Sequence, residues 1–315
     1  MTLTCQVQIV TYNSAAVIAD CLSAVLAQSV QATRILVLDN GSDDGTLAIA
    51  REIAAGDHEG LVQIRAQASN LGYAGAHNRG FAEALAAGVD TVLTVNPDVL
   101  LAPDYLAWCL HQVARALEAG VQLGGVMGKL IRSDGRVLDS TGLVMGPVLH
   151  VVDRGADEAD RGQYDRAPDV WGICGAAALY TGACLRALHE HDNMVLDEAF
   201  FLYKEDVDLC WRARLLGFSF LYAPRAQAVH ERGWKRGQAP HALAEANSWA
   251  NQVGIVVAYT PIWRGMYWLA MAAECVRWLL LLTRRPRTAR LAWRLMRERW
   301  GHAVRKGRAY RGVLK

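Results

Sequence analysis

The chain has 315 residues, of which 52% are hydrophobic and 20% are charged. This composition is typical of a folded globular protein and excludes the disordered, collagen-like and coiled-coil classes. The length fits one large domain with an accessory region, or two small domains. The formal net charge of +2 by itself favours no class of partner.

The charge is unevenly distributed along the chain. Residues 284–315 contain twelve of the 33 basic residues but one of the 31 acidic residues, Glu298, so this segment carries +11. Residues 1–283 keep 21 basic and 30 acidic residues and carry −9. An acidic body followed by a basic tail indicates that the two parts interact with different partners.

Seven cysteines occur singly, and none belongs to a Cys-x-x-Cys pair. Their odd number and mostly apolar neighbours predict buried thiols in a reducing compartment, not a disulfide framework or a zinc site. The first residues lack the basic segment of a secretory signal, so the sequence predicts a cytoplasmic protein.

Strand and helix patterns alternate over residues 5–100. Short apolar strands are predicted at Val7–Val10, Ile35–Leu38, Leu61–Ile64 and Thr91–Val95. Helices are predicted at residues 15–27, from about Thr46, and at Ala76–Ala87. This alternation predicts an α/β fold with a doubly wound, mostly parallel sheet, whose ligand lies beyond the carboxyl ends of the strands.

The second half of the chain changes character. From about Gly120 to Ala183 it is rich in glycine and strand formers, which predicts a mixed or antiparallel extension. Val195–Leu216 ends in a predicted helix, and Phe218–Val229 is strand-like. After Ala242 the chain is predicted to be helical and contains six of the ten tryptophans.

Polar side chains follow three of the predicted strands, and these loops should converge on one cleft. They are Thr11-Tyr12-Asn13, Asp39-Asn40-Gly41 and Asn96-Pro97-Asp98. A carboxylate such as Asp98 at the end of a strand can hold Mg²⁺ or Mn²⁺, which neutralises a leaving diphosphate. The alternative is that this segment is a turn that caps the next helix.

A glycine-rich loop, Asn70–Gly80, follows the third strand and opens a helix. It lacks the Lys-Ser/Thr pair of a P-loop, and a dinucleotide fingerprint would follow the first strand. Its backbone N–H groups can approach a phosphate or a sugar. Alternatively, the glycines serve tight turns and close packing of the alanine-rich helix.

The segment Asp197–Arg212 combines five carboxylates with aromatic residues. Crowded acids beside buried rings have raised pKa values, which makes one of them a candidate general base. For Glu205 and Asp206, a solvated helix start is the alternative. His230 follows the strand-like run; a lone histidine is more often structural, and it becomes a candidate ligand only near Asp98.

These motifs, in this order, resemble those of the family 2 glycosyltransferases of the GT-A fold, most closely their rhamnosyltransferase-like branch. The resemblance covers about residues 7–235 and rests on Val10–Asn13, Leu38–Ser42, Asn70–Gly80, Asn96–Asp98, Cys174–Ala176, Asp197–Arg212 and His230. It implies a catalytic domain at 1–241, with nucleotide-sugar binding in 1–120 and acceptor and catalytic residues in 121–241. A helical C-terminal region at 242–315 follows.

The resemblance also implies roles for single residues. Those expected to bind the nucleotide-sugar are Thr11, Tyr12, Asn13, Asp39, Gly75, Asn78, Asn96 and Asp98. Asp206 matches the catalytic base, and Trp171 and Glu205 are expected to border the acceptor. Asp98 and His230 match ligands of Mg²⁺ or Mn²⁺, although Asn96 replaces the first carboxylate of the family's Asp-x-Asp motif and leaves one anionic ligand there.

The implied activity is an inverting single displacement without a covalent intermediate. The expected donor is dTDP-rhamnose, and the expected acceptor is a cell-surface polysaccharide or a lipid-linked glycan. A UDP-sugar donor, with galactofuranose or a hexosamine, is the alternative within this class. A non-catalytic glycan- or nucleotide-binding protein is the alternative outside it.

The C-terminal region suggests membrane contact. Trp263–Leu282 is apolar but interrupted by charges, so its uncharged stretch is too short to span a bilayer and an interfacial or docked helix is expected. Residues 284–315 form a basic amphipathic pattern with tryptophan, which predicts binding to the inner surface of the cell membrane. Packing on the chain's own domain, or a homo-oligomer interface, is the alternative. The acidic body and the lack of an aromatic platform argue against nucleic acid.

Overall fold

The computed structural model of the protein describes residues 3–56, 60–231, 242–310 and 312. The strands there are β1 Cys5–Thr11, β2 Arg34–Asp39, β3 Val62–Ala66, β4 Thr91–Val95, β5 Val99–Leu101, β6 Leu123–Arg132, β7 Leu138–Ser140, β8 Leu143–Met145, β9 Val151–Asp153, β10 Asp169–Val170, β11 Ala177–Thr181 and β12 Ser219–His230. The helices are α1 Ile18–Leu26, α2 Thr46–Ala55, α3 Gly72–Ala87, α4 Tyr105–Glu118, α5 Gly182–Asp192, α6 Glu205–Leu215, α7 Ala242–Tyr259, α8 Gly265–Arg284 and α9 Pro286–Ala309, with a 3₁₀ turn at Glu198–Phe200.

A ten-stranded sheet forms the centre of the described part of residues 3–231, and β8 and β9 form a separate two-stranded sheet. The ten-stranded sheet has the strand order β10-β12-β6-β11-β4-β1-β2-β3, and β5 and β7 pair with β12 and β6. The half made of β4, β1, β2 and β3 is entirely parallel, and β11 joins it to the other half by antiparallel pairing on both sides. The predicted doubly wound sheet with a mixed extension is therefore confirmed.

Buried apolar strands explain why the sheet forms at these positions. All five residues of β4 are buried, and so are the inner residues of β2, because both strands have neighbouring strands on either side in the sheet. Such strands are continuous apolar runs, which is the pattern that the sequence shows. Helix α3 begins at Gly72, four residues before the predicted start, because the glycine-rich loop is itself the first helical turn.

The thiols are buried, as predicted, in all cases but one. Six cysteines are buried, whereas Cys275 on α8 is exposed. No disulfide joins any pair of them in the described part of the chain. Burial raises the pKa of the Cys5 thiol to about 11, as expected for an unreactive core residue.

Three helices form the C-terminal region. Helices α7 and α9 pack closely against each other. Their separation leaves no room for a side chain at Gly307, where a Cβ atom would lie 2.6 Å from the carbonyl oxygen of Ala258. Helix α8 contacts both. The predicted domain boundary at 241/242 borders residues 232–241, which lie outside the described residues, as do residue 311 and residues 313–315 of the basic tail.

Helix α8 has two different faces. It is docked through Tyr267, Ala270 and Glu274, which are buried, while much of the rest of its surface is exposed. Among the described helices, it is the one that is long and apolar enough, by length and composition alone, to cross a membrane. One face of α8 is therefore docked on the protein, as expected, and the other face is exposed.

Helix α9 is docked on the catalytic domain, which is the alternative to a free basic tail. Lys306 Nζ lies 2.7 Å from Asp208 Oδ1 and also pairs with Asp197. His302 Nε2 lies 2.7 Å from Asp197 Oδ2. Part of the tail's positive charge therefore neutralises buried carboxylates of the acidic body.

Candidate active site

The carboxyl ends of β1 and β2 build the first part of the site. The two strands run parallel with Thr11 beside Asp39, so both side chains emerge at the same edge. Asp39 is 2% exposed, and its carboxylate accepts hydrogen bonds from Thr11 Oγ1 at 3.1 Å and from Ser42 Oγ at 2.6 Å. These bonds hold Asp39 in one orientation, as a group that recognises a polar ligand must be held.

Tyr12 and Asn13 follow Thr11 at the surface. Tyr12 is 52% exposed. Asn13 has a φ of +51°, which asparagine tolerates better than most residues, and its side chain accepts a hydrogen bond from the Asp43 backbone at 3.0 Å. The structure thus brings Thr11, Tyr12, Asn13 and Asp39 together at one edge of the sheet.

The glycine-rich loop packs against another loop instead of facing an open pocket. A Cβ atom at Gly72, where φ is +73°, would lie 2.8 Å from the Phe201 ring, so only glycine fits there. A Cβ atom at Gly75 would lie 3.1 Å from Leu71 and 3.8 Å from the Glu198 carboxyl carbon. Close packing is therefore what the glycines provide in this structure.

The side chain of Asn78 is bonded to other parts of the protein. Its amide nitrogen donates to the Leu196 carbonyl at 2.8 Å and to Glu198 Oε1 at 2.9 Å, and its oxygen accepts from the Leu196 backbone at 2.8 Å. Both N–H donors are thereby used within the protein. Asn78 thus joins α3 to the segment before α6, and its contact with a nucleotide stays a prediction.

A cavity of about 740 Å³ lies beyond the carboxyl ends of the strands. Asn96, Asp98 and His230 line one part of it, and Glu205 and Asp206 line another. Residues from the two halves of the sheet and from α6 therefore share one space. Thr11, Tyr12, Asn13 and Asp39 are not among the residues that line it. An open volume of this size fits a sugar-sized ligand.

Glu205 and Asp206 begin α6 at the wall of this cavity. Asp206 Oδ2 accepts a hydrogen bond from the Gly175 backbone at 3.1 Å, and Oδ1 accepts one from Val207 at 2.7 Å. Burial raises the pKa of Asp206, and the charge of Asp153 adds to that effect. Burial and the charge of Asp206 likewise raise the pKa of Glu205, whose Oε2 atom is buried without a hydrogen-bond partner among the described residues.

The segment just before this pair has a strained backbone. Phe201, Tyr203 and Lys204 have φ values of +57°, +65° and +73°, which non-glycine residues rarely adopt. Asn251 on α7 holds the segment, because its amide nitrogen donates to the carbonyls of Phe200, Leu202 and Tyr203 at 2.8–3.1 Å. Arg299 on α9 in turn donates to Asn251 Oδ1 at 2.5 Å. Such strain is typical of functional sites, where the surrounding structure maintains it.

Asp98 and His230 lie together, as predicted for metal ligands. His230 Nε2 is 3.4 Å from Asp98 Oδ1, and its Nδ1 is 2.8 Å from Asp139 Oδ2. Burial alone would lower the pKa of His230, but the two carboxylates outweigh it and raise the pKa to about 9. Burial would raise the pKa of Asp98, but the hydrogen bond and charge of His230 hold it below its ordinary value.

These donors can hold a cation only with help from a substrate. Among the described residues, no group of three or more His, Cys, Asp or Glu side chains is arranged for a metal ion. Asp98 offers a carboxylate oxygen beside the cavity, next to Asn96, and His230 would offer Nε2 only after losing the proton that Asp98 and Asp139 stabilise. Mg²⁺ is commonly bound by one or two carboxylates plus substrate phosphates, so the residues fit a cation that arrives with a diphosphate.

Trp171 lies outside this cavity, so its contact with the acceptor stays a prediction. Its ring packs edge-on against Trp211 with centroids 5.4 Å apart, and it is not among the residues that line the cavity. The lining contains instead Tyr73, His150, Asp153 and Lys204, which the sequence analysis missed. Lys204 directly precedes the Glu205-Asp206 pair, and this position in the sequence could have indicated that its side chain lies near the cavity. Burial lowers the pKa of its ammonium group.

Comparison with known proteins places these observations in a family context. Residues 6–131 match the family model described as "Glycosyl transferase family 2". Over 305 aligned residues the chain is 27% identical to the N-acetylglucosaminyl-diphospho-decaprenol L-rhamnosyltransferase of Mycobacterium tuberculosis, which covers 89% of this chain and 94% of that protein.

Solved structures agree on the fold. The structure of GalNAc-T7 with UDP, GalNAc and Mn²⁺ superposes with a TM-score of 0.60 at 13% identity, over 84% of this chain and 49% of that one. The mannosyltransferase PcManGT from Pyrobaculum calidifontis, with GDP-Man and Mn²⁺, superposes with a TM-score of 0.57 at 16% identity, over 99% of this chain and 86% of that one. These similarities confirm the fold class predicted from the sequence.

Proposed function

We propose that this chain is a family 2 glycosyltransferase that transfers rhamnose from dTDP-rhamnose to a lipid-linked glycan. The proposal is supported by the family-model match over residues 6–131 and by the 27% identity to a rhamnosyltransferase over 89% of the chain. The observation that carries the proposal is the cavity that contains both the Glu205-Asp206 pair and the Asp98–His230 pair. One pair can accept a proton, and the other lies where a diphosphate would leave. A protein that only binds sugars would not need the first pair.

Asp206 is the proposed general base. Its carboxylate is oriented by two backbone N–H groups, from Gly175 and Val207, and it borders the open cavity. In the reaction it takes the proton of the acceptor hydroxyl while that oxygen attacks the anomeric carbon. The bond to the nucleoside diphosphate breaks on the opposite face of the sugar, so the configuration at this carbon inverts.

The leaving diphosphate gains negative charge as this bond breaks. Asp98 and His230, with Asn96 beside them, would hold a divalent cation, and that cation would supply the positive charge that stabilises the leaving group. Thr11 and Asp39 would orient the nucleoside at the edge of the sheet. Because one base suffices for a single displacement, the mechanism needs no covalent glycosyl-enzyme.

A panel of nucleotide-sugars tests the donor. The purified protein is incubated with each donor and Mg²⁺ or Mn²⁺, with and without EDTA, and the released nucleoside diphosphate is measured. We expect release from dTDP-rhamnose that EDTA abolishes. Release from a UDP-sugar alone would favour the alternative donor class. No release of nucleoside diphosphate with any donor and acceptor would favour a non-catalytic binding protein.

Replacement of the base tests the mechanism. A base contributes about 10²–10⁴-fold to the rate, so Asp206→Asn should lower kcat by that factor while nucleotide-sugar binding persists. Glu190→Gln, an exposed carboxylate on α5, is the matched control and should keep the wild-type rate. An Asp206→Asn variant with more than about a tenth of the wild-type kcat would refute the role of Asp206.

A further inference from the structure

A second cavity of about 450 Å³ adjoins the catalytic cavity. The two share Tyr203, Ala244 and Ser248 in their walls, so a ligand can extend from one into the other. Tyr203 belongs to the strained segment before the proposed base. The proposed mechanism uses none of the other residues of the second cavity.

The second cavity is lined by arginines. Arg277, Arg284 and Arg285 lie in its wall, together with a single acid among the described lining residues, Glu245. Arg277 and Arg284 are seven residues apart on α8, and this spacing puts them two turns apart on the same side, about 10 Å along the helix. The lining thus has an excess of positive charge, whereas the catalytic cavity next to it is rich in carboxylates.

The bonds of Arg277 leave it able to receive an anion. Arg277 Nη1 donates to Glu274 at 2.9 Å and to His150 Nδ1 at 3.0 Å, and His150 also lines the catalytic cavity. A guanidinium has five N–H donors, so these bonds use only part of the capacity of Arg277. Arg285 donates to Glu245 at 2.9 Å.

An apolar surface continues from this cavity along α8. Leu280 lines the cavity and is 49% exposed, so it belongs to both surfaces. The exposed face beyond it is made of large apolar side chains: Trp268, Leu269, Val276 and Leu279. The two charged residues inside the helix, Glu274 and Arg277, lie on the other side, where the first is buried and the second lines the cavity.

We propose that the second cavity binds the diphosphate of a lipid-linked acceptor, with Arg277 and Arg284 as its ligands. The acceptor sugar then lies in the catalytic cavity beside Asp206, and the lipid leaves along the exposed apolar face of α8. Guanidinium groups suit this task, since they bind phosphate oxygens through paired hydrogen bonds. The inference rests on the proposed function, because it assumes that the acceptor is a lipid-linked glycan.

The order of the two cavities and the apolar face carries this assignment. A lipid-linked sugar diphosphate is itself a sequence of three chemically different parts, namely a polar sugar, a dianionic link and a hydrocarbon chain. The protein offers an acid-lined cavity, an arginine-lined cavity and an apolar helix face in that same order. A soluble glycan acceptor would need the first of these surfaces alone.

Binding of farnesyl diphosphate tests the inference without any turnover. Its dissociation constant is measured by calorimetry for the full-length protein, for Arg284→Gln and for Arg277→Gln/Arg284→Gln. The matched control is Arg290→Gln/Arg294→Gln, which removes two exposed arginines of α9 outside the cavity. We expect the cavity variants to bind at least tenfold more weakly and the control to stay within twofold of wild type.

Two further ligands identify what the arginines recognise. Farnesol should bind equally to wild type and to the cavity variants, because it lacks the diphosphate. Affinity for phosphatidylglycerol vesicles should change equally in the cavity variants and in the control, because any surface arginine attracts an anionic membrane. Arg284→Lys should recover only part of the affinity, since lysine cannot form the paired bonds.

Equal affinity of farnesyl diphosphate for wild type and for both cavity variants would overturn the inference. So would a larger effect of the cavity variants on vesicle binding than on farnesyl diphosphate binding, since that would mean surface contact with lipid headgroups. Failure of the proposed function is detected separately, as absence of donor turnover and of transfer. The binding experiment keeps its meaning in that case, because it requires no reaction.

Discussion

Asp206 must be ionised to accept a proton, so the groups around it determine the pH at which the protein can work. Burial raises its pKa above the ordinary value, and the nearby charge of Asp153 raises it further. The N–H groups of Gly175 and Val207 and the ammonium group of Lys204 act in the opposite direction. Transfer should therefore be lost as the pH falls through a pKa that is higher than that of an ordinary aspartate.

Lys204→Gln provides a test of this electrostatic setting. Removal of the positive charge should raise the pKa of Asp206, so that the acid limb of the kcat/KM profile moves to higher pH. Asp153→Asn should move the same limb to lower pH, because a nearby negative charge is lost. The pH dependence of kcat/KM is measured for wild type and both variants.

Lys204→Arg is the matched control, since it keeps the charge at the same backbone position. Its acid limb should stay near that of the wild type, whatever happens to the absolute rate. Acid limbs that coincide in all four proteins would mean that Asp206 is not the group that titrates. Movement in the same direction for Lys204→Gln and Asp153→Asn would point to a structural change instead of a charge effect.

Helix α9 shows what an amphipathic pattern can and cannot predict. The sequence indicated an apolar side and a basic side, and membrane binding was the favoured interpretation. In the structure the docked side consists largely of small residues, with Ala292, Ala303 and Gly307 buried. The side chains of Arg299, His302 and Lys306 reach inward beside them. Small residues allow close helix packing but contribute little to a hydrophobic pattern, so the docked face was not evident from the sequence.

The cationic contacts of α9 should contribute strongly to stability. Lys306 pairs with Asp197 and Asp208, whose side chains are 2% and 1% exposed. Lys306→Met would leave both carboxylates with fewer partners in a buried position, at a cost of about 3 kcal/mol in the free energy of unfolding. Urea unfolding followed by circular dichroism measures this loss.

Arg305→Met is the control for Lys306→Met, because it removes a cation from the neighbouring exposed position on the same helix. Its effect should remain below about 0.5 kcal/mol, as for most surface substitutions. If the two variants lost equal stability, the buried ion pairs of Lys306 would not be what holds α9 in place. A Lys306→Arg variant should keep most of the stability if charge is what matters.

The elements that the sequence predicted best are those with short-range signals. The strands of the parallel half are apolar runs between polar turns, and their order in the chain implies that Thr11, Asp39 and Asp98 emerge at one edge. The second cavity had no such signal. Its walls bring Tyr203 next to Arg277 and Arg284, and this proximity depends on how the C-terminal helices pack on the catalytic domain.

Correct strand prediction also left the roles of some side chains open. Asn78 was assigned to the nucleotide because it follows the glycine-rich loop, yet it bonds to Leu196 and Glu198, more than 100 residues away. Trp171 was assigned to the acceptor, yet it packs against Trp211. In both cases the hydrogen-bond or ring partner is set by a long-range contact that spacing does not encode.

At the scale of the whole molecule, part of the charge separation between body and tail is used within the protein, because the tail is docked on the body. The sequence divides into −9 for residues 1–283 and +11 for residues 284–315. Lys306 and His302 pair with acids of the body, and Arg285 pairs with Glu245. Most of the described arginines of α9 are exposed, as is the apolar face of α8. We propose that these two surfaces together contact an anionic membrane.

The apolar part of this surface should contribute most to membrane affinity. Trp263 and Trp268 are 77% and 64% exposed, which is unusual for such large apolar side chains. Burial of a large apolar side chain in an interface contributes about 1.5–3 kcal/mol, so Trp263→Ser/Trp268→Ser should weaken binding to phosphatidylglycerol vesicles at least tenfold. Each exposed arginine near the surface adds about 1 kcal/mol, which salt should screen.

Vesicle sedimentation of the full-length protein measures this affinity, and point variants are preferable to removal of residues 284–315. That deletion would take away the partners of Asp197 and Asp208 and would disturb the fold along with the surface. Leu117→Ser/Val121→Ser is the matched control, because these side chains are 53% and 42% exposed at the end of α4 in the catalytic domain. The control should bind vesicles like the wild type, because the membrane surface proposed here does not include α4. Equal losses in the two double variants would mean that the contact is unspecific, and no loss in either would mean that the face of α8 does not enter the lipid.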